Sequence, residues 1–208
     1  MPRLLTAVHV TALLVTSSAF AQGTTPPAPT AKSAPAKPSP MKLAAERTQT
    51  ALQQVPPGRP TDVKSAEDVV TAIYDVISGP AGKARDWQRF RSLFYPGALM
   101  ASVQRPRPDG RPGVAPVTPE DYVSWGEEYF KAHGFFERET HRQVSGYGDL
   151  VNVLSAYEIR ESPEAAPLLR GVNNIQLIFD GQRWWVLHIS WTDEKAAGAP
   201  VPATFTRK

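Results

Sequence analysis

The chain has 208 residues, with 23 Lys and Arg against 20 Asp and Glu, 21 prolines and no cysteine. That length suits one ordinary domain, and the missing thiols exclude disulfide stapling and lipid attachment through cysteine. The positive excess is confined to residues 22–60, where five basic residues meet one acid, while residues 61–208 are net acidic, so a nucleic-acid-binding face on the domain is excluded.

The chain opens Met-Pro-Arg, continues as an apolar run from Leu4 to Val15 and presents small residues at Ala19 and Ala21. This is the pattern of a secretory signal peptide over residues 1–21, cleaved after Ala21. The apolar run is too short to stay in a bilayer as a mature helix. The expectation is a periplasmic or secreted protein with no integral membrane segment after cleavage. Residues 22–60 hold nine of the prolines and no aromatic residue, which predicts a disordered linker. Within it, Met41 to Val55 has the composition of a transient helix.

Residues 61–195 carry the folded domain. Ser65 is a candidate N-cap with Glu67 and Asp68 behind it, and Val69, Ile73, Val76 and Ile77 mark one helical face up to Gly79-Pro80. A second helix is predicted from Ala84 to Phe94, with Trp87, Phe90, Leu93 and Phe94 at helical spacing. Ala98 to Val103 reads as a strand and the proline-rich stretch from Gln104 to Val117 as a loop. Thr118-Pro119-Glu120-Asp121 starts a third helix that carries Tyr122, Trp125, Tyr129 and Phe130. Phe135–Ser145, Leu150–Arg160, Val172–Phe179 and Arg183–Trp191 then read as strands, the last two joined by the hairpin dipeptide Asp180-Gly181. Residues 196–208 are expected to form a flexible tail.

Helices followed by an antiparallel sheet make an α+β fold with helices on one sheet face. Strict alternation places Trp185, Leu187, Ile189 and Trp191 on the helix-packed face, opposite Trp184, Val186, His188 and Ser190. The second face is apolar enough to predict a homodimer through the sheet.

Two segments resemble a known superfamily. Asp86-Trp87-Gln88-Arg89-Phe90-Arg91-Ser92-Leu93-Phe94 with Pro96, and the ending from Gly171 through Asp180-Gly181 to Trp184-Trp185-Val186, are similar to the second helix and the closing hairpin of NTF2-like (SnoaL-like) proteins. The likeness runs over roughly residues 62 to 194. It implies a cone: a curved antiparallel sheet packed on about three N-terminal helices around a conical pocket. Members include isomerases, dehydratases and proteins without chemistry, so the fold does not carry the activity. The ketosteroid-isomerase-like members combine a first-helix tyrosine with sheet acids. Tyr74 stands near that tyrosine's place, while the first strand, Ala98-Leu99-Met100-Ala101-Ser102, holds no carboxylate.

Candidate catalytic residues are then His141, Glu139 and Tyr74. Glu137, Glu139 and His141 alternate along one strand face, where a carboxylate can orient an imidazole as general base. Trp87, Tyr122, Trp125 and Tyr129 are candidate pocket walls, with Asn174 and Gln176 as orienting amides for a small apolar ligand. No metal site and no cofactor are predicted, since paired histidines, acidic loops and phosphate-binding glycine loops are missing. Two functions fit: a non-catalytic small-molecule or protein binding and accessory module, or a cofactor-free lyase or isomerase using general acid/base residues. The sequence does not decide whether the protein is an enzyme.

Overall fold

The computed structural model describes residues 37–105, 109 and 113–205; the predicted signal peptide and residues 22–36 of the predicted linker lie outside them. The chain divides after Pro38, and the unit from Ser39 onward is the one described below. It begins with α1 (Pro40–Leu52), capped by Ser39, whose hydroxyl accepts from the Lys42 amide. Residues expected to be disordered thus include an ordered helix. Ala44, Thr48, Ala51 and Leu52 form its half-buried stripe, and it approaches the first strand. The short α2 (Pro60–Val63) precedes α3 (Ala66–Ile77).

In α3, Ser65 caps the Asp68 amide as its sequence predicts, and Val69, Val70, Ile73, Tyr74, Val76 and Ile77 are buried. β-Branched residues are poor helix formers. Packing holds this helix, at about 1.5–3 kcal/mol for each large apolar side chain fully buried. The second predicted helix is only one turn and a half, α4 (Trp87–Arg91), started by Asp86. Arg89 ties it back to Asp62 of α2 (2.8 Å) and to Asp75 of α3. Strand β1 (Phe94–Val103) runs directly through Pro96-Gly97, and β2 (Val114–Val117) forms inside the stretch read as loop. Pro116 is tolerated there because β2 is an edge strand. Helix α5 (Pro119–Ala132) starts with a full capping box between Thr118 and Asp121.

Four long strands follow: β3 (Phe136–Tyr147), β4 (Leu150–Arg160), β5 (Leu169–Phe179) and β6 (Trp184–Asp193). They join the first two in one six-stranded sheet of order β2-β1-β6-β5-β4-β3. All pairs are antiparallel except β1–β6, which is parallel. The curved, unclosed sheet wraps the helices and gives the α+β cone that the sequence predicts. The Asp180-Gly181 turn is as expected. The Asp180 carboxylate accepts from the amides of Gln182 and Arg183 and from the Trp185 indole, and Gly181 adopts φ 92°.

Two bulges correct the alternation read from sequence. One lies in β3 between Glu139 and His141, the other in β6 across Leu187. A strand gains one unpaired residue at a bulge, so the side chains beyond it change faces. In β6, Trp184 and Val186 therefore share the helix-packed face with Ile189 and Trp191, while Trp185 turns outward beneath Arg183, 3.7 Å from its ring centre.

The C-terminal stretch expected to be flexible is ordered through residue 205. Asp193 caps α6 (Glu194–Ala197), the Glu194 carboxylate accepts from the Val201 amide, and Phe205 is buried against β3. Part of the outer sheet face, where a second copy is expected, is thus covered by the chain's own end. On that face the Asn174 Oδ1 is buried and lacks a hydrogen-bond partner among the described residues.

Candidate functional site

A cavity of about 700 Å³ opens between the concave sheet face and the helices. Its wall is mostly aromatic and aliphatic, including Phe90, Tyr122, Trp125, Tyr129, Phe135 and Trp191. Helix α5 supplies three of these rings because Tyr122, Trp125 and Tyr129 fall three and four residues apart and so share a face. They pack in sequence, tilted for Tyr122–Trp125 with ring centres 5.3 Å apart and stacked for Trp125–Tyr129 at 4.9 Å. Trp125 and Tyr129 remain 45% and 36% exposed, which places them at the mouth.

Among the described residues, two charged side chains line this cavity, Asp121 and Glu137, and both are acids. Glu137 stands on β3 opposite Ile159 of β4, so its side chain points to the concave side. It retains surface only as a wall residue does, with Tyr74, Tyr122 and Tyr157 grouped around its carboxyl. Among the described residues no Lys or Arg pairs with it, and its carboxyl receives one hydrogen bond, from the Asn173 amide, 3.1 Å from Oε1. Burial in these surroundings pushes the carboxyl up to about 7, against a weaker opposing effect of that amide. The three phenols shift upward as well, first through burial and then through proximity to Glu137. At neutral pH they are O–H donors.

A glycine makes this arrangement possible. A Cβ on Gly171 of β5 would lie 2.3 Å from the Thr192 carbonyl oxygen and 2.5 Å from the Tyr157 phenol oxygen. Only a residue without a side chain lets the Tyr157 phenol lie across β5. The far side of Glu137 borders a second, more open cleft of about 420 Å³, which Tyr74, Asp75, Ser78, Arg138 and Glu139 also line.

The structure brings some of the predicted site residues together and separates others. Tyr122, Trp125 and Tyr129 are on the cavity wall. Trp87 is behind it, stacked on Phe130 and abutting Gly126, where a Cβ would come within 2.8 Å of the indole. Asn174 and Gln176 face away from the cavity. The inward amide is Asn173, because β5 presents Gly171, Asn173, Ile175 and Leu177 to the helices. Tyr74 and Glu139 belong to a hydrogen-bonded cluster beside Glu137. His141 does not join them: the β3 bulge pairs it with Ala156 and turns it to the outer face, where its ring meets Phe205 at 6.0 Å. The Glu139–His141 dyad expected from alternation is therefore absent. Glu137 is a carboxylate on the cavity wall, although the sequence pattern points to its neighbour Glu139 instead. Its signal was position: it is the acid closest to the Phe135-Phe136 pair, where the strand enters the core. Among the described residues, no three His, Asp or Glu side chains gather as a metal site, and no helix is long and apolar enough to cross a membrane.

No protein-family model matches this sequence, and none of the curated proteins matches it. Solved structures do. A protein of unknown function with a cystatin-like fold from Nostoc punctiforme aligns at 9% identity over 62% of this chain and 93% of its own, with a TM-score of 0.47. An NTF-2 like protein of unknown function from Silicibacter pomeroyi aligns at 12% identity over 73% of this chain and 98% of its own (TM-score 0.42). A "putative ketosteroid isomerase" from Shewanella frigidimarina aligns at 15% identity over 60% and 91% of the two chains (TM-score 0.42). These neighbours carry the descriptions cystatin-like, NTF-2 like and ketosteroid isomerase; the chain's own architecture is α+β, a curved, unclosed six-stranded sheet around helices.

Proposed function

We propose that the cone binds a small, uncharged, largely apolar carbonyl compound and moves a proton on it, with Glu137 as the general base. One observation carries this reading: a carboxyl poised at about 7, with no cation partner among the described residues, stands in the wall of a 700 Å³ apolar cavity. A group that titrates near the working pH is suited to both taking and returning a proton. In the step proposed, Glu137 takes a proton from the carbon next to the carbonyl. The C–H electron pair moves into the carbon framework, and the carbonyl oxygen gains negative charge. The Tyr122 and Tyr157 phenols line the same cavity and are donors for that oxygen. Return of the proton from Glu137 to another carbon completes an isomerisation; loss of a β-leaving group instead makes the reaction a lyase. Neither outcome consumes a redox equivalent. The acidic groups on the wall disfavour carboxylate and phosphate ligands, because an anion would meet Asp121 and Glu137 and, among the described residues, no Lys or Arg lines the wall.

The non-catalytic reading uses the same cavity and differs in one respect, that Glu137 only receives a hydrogen bond or gives one. Incubating the protein with a panel of apolar ketones in deuterated water, and reading α-carbon deuteration by mass spectrometry, separates the two. Catalysed exchange is expected from the native protein, at least 100-fold slower exchange from Glu137→Gln, and retained ketone binding by that variant. Binding without exchange in the native protein would leave the accessory-module reading standing and remove the catalytic one.

A further inference from the structure

The carboxyl at the cavity wall depends on a chain of hydrogen bonds whose direction can be deduced. Glu139 is half-buried on β3 and clamped by Arg142, whose Nε lies 2.8 Å from Oε2. Its other oxygen lies 2.5 Å from Ser155 Oγ on β4. A carboxylate only accepts, so the single Ser155 proton points to Glu139. The Tyr74 hydroxyl, 2.6 Å from Ser155 Oγ, must then be the donor of that pair. With its proton committed, the Tyr74 oxygen is left as an acceptor, and it accepts from Asn173 Nδ2 at 3.0 Å. The second N–H of that amide reaches Glu137 Oε1. Every donor from Asn173 onward points toward Glu139. Were the Asn173 amide to flip, its oxygen would face both a Tyr74 oxygen without a spare proton and the Glu137 carboxylate.

From this polarity we infer that Glu139, acting through Ser155 and Tyr74, is a positioning residue that locks the Asn173 amide with its N–H toward Glu137. Ser155 is fully buried and Asn173 and Tyr74 nearly so, so water has little access to substitute for a missing link. Three hydrogen bonds thus connect a carboxylate on the rim of the second cleft to the amide that serves the main cavity. The groups facing Glu137 are Tyr74 from α3, Tyr122 from α5, Tyr157 from β4 and Asn173 from β5. On its own strand, Glu139 is compensated by Arg142, and Arg138 turns outward to Glu158.

The inference rests on Glu137 being the group that titrates near neutrality, and its test keeps the two apart. Carbon-13 NMR of labelled glutamate would follow the Glu137 midpoint in the native protein and in four variants. Asn173→Ala removes the donor and sets the full effect, expected as a rise of about one pH unit, a tenfold fall in the ionisation constant. Ser155→Ala, which changes no charge, is expected to give most of that rise. Glu139→Ala discriminates further, because deleting a negative charge beside Arg142 lowers a neighbouring carboxyl by Coulomb's law, whereas loss of the lock raises it. Glu139→Gln still offers Ser155 a carbonyl oxygen and is expected to leave the midpoint near or below the native value. A rise in Ser155→Ala and Glu139→Ala that is absent from Glu139→Gln supports the lock. A Glu137 midpoint unmoved in Ser155→Ala, or lowered in Glu139→Ala, while Asn173→Ala raises it, overturns the lock and leaves the proposed base intact. A native Glu137 midpoint in the ordinary carboxylate range instead removes the proposed base. Glu139 lies on the edge strand, so its variants report even where the buried Ser155→Ala fails to fold.

Discussion

Glu137 and Glu158 are enclosed glutamates on adjacent strands and opposite faces of one sheet, and the fold treats them in opposite ways. Glu158 faces outward, where Arg138 and Arg160 each donate to it at 2.6–2.8 Å and Arg170 stands 3.9 Å away. Burial works against its charge, yet hydrogen bonds from Arg160 and Arg138 outweigh that and hold it below the usual range. Glu137 faces inward, has one amide and three phenols for company, and is pushed up to about 7. Enclosure alone therefore decides neither case. What differs is whether the opposite strand positions carry cations. Glu158 is sandwiched in a cross-strand row between Arg138 and Arg170, whereas Glu137 is opposite Ile159. One residue of strand parity separates a structural ion cluster from a group suited to proton transfer.

The contrast can be broken from either side. The largest effect is expected for Glu158→Ala, which leaves three guanidinium groups without their shared acceptor. It should cost about 3 kcal/mol in chemical denaturation, at the low end of the cost of breaking a buried pair because Arg138 and Arg170 are mostly exposed. A loss under about 0.5 kcal/mol would mean the cluster is ornamental. Next comes a pH effect at Glu137. Its folded-state value lies above the unfolded one, so its stabilising contribution is complete below about pH 4.5 and is lost as pH rises through about 7. The native protein should thus lose on the order of 2–3 kcal/mol relative to Glu137→Gln between pH 4.5 and 8. Parallel stability curves for the two proteins would contradict the raised value. Smaller still, Gly171→Ala should cost about 2 kcal/mol through overpacking against Thr192 and Tyr157. Its sharper readout is the Tyr157 phenol signal, which should move while the Glu158 cluster keeps its own.

Most of the fold was legible because its signals are local. Ser65, the Thr118-Pro119-Glu120-Asp121 start and Asp180-Gly181 each satisfy nearby backbone groups and need no distant partner. The site was legible in part. The aromatic face of α5 follows from helical spacing, so Tyr122, Trp125 and Tyr129 could be placed on the wall in advance. The polar residues were harder because strand parity counts continuously from one end, and a single bulge shifts every later position. Thr140 and Leu187 are unremarkable as letters. Nothing local in Thr140 reveals that His141 turns outward, and the pleat was started one residue out of phase on β5, so Asn174 was chosen over Asn173. The Arg85 side chain was missed for a related reason. It is buried and donates to the carbonyls of Ile77, Gly79 and Lys83, and those acceptors exist only once α3 has ended and the chain has turned back.

Among the described residues the cavity wall holds no cation, and under the proposed function this has a kinetic meaning as well as a selective one. A molecule that entered neutral and gained a carboxylate or phosphate elsewhere would become a poor occupant, repelled by Asp121 and Glu137 and, among the described residues, with no cation on the wall to hold it. On that proposal the cone would distinguish an unmodified compound from its acidic derivative, and shed the second without any moving part.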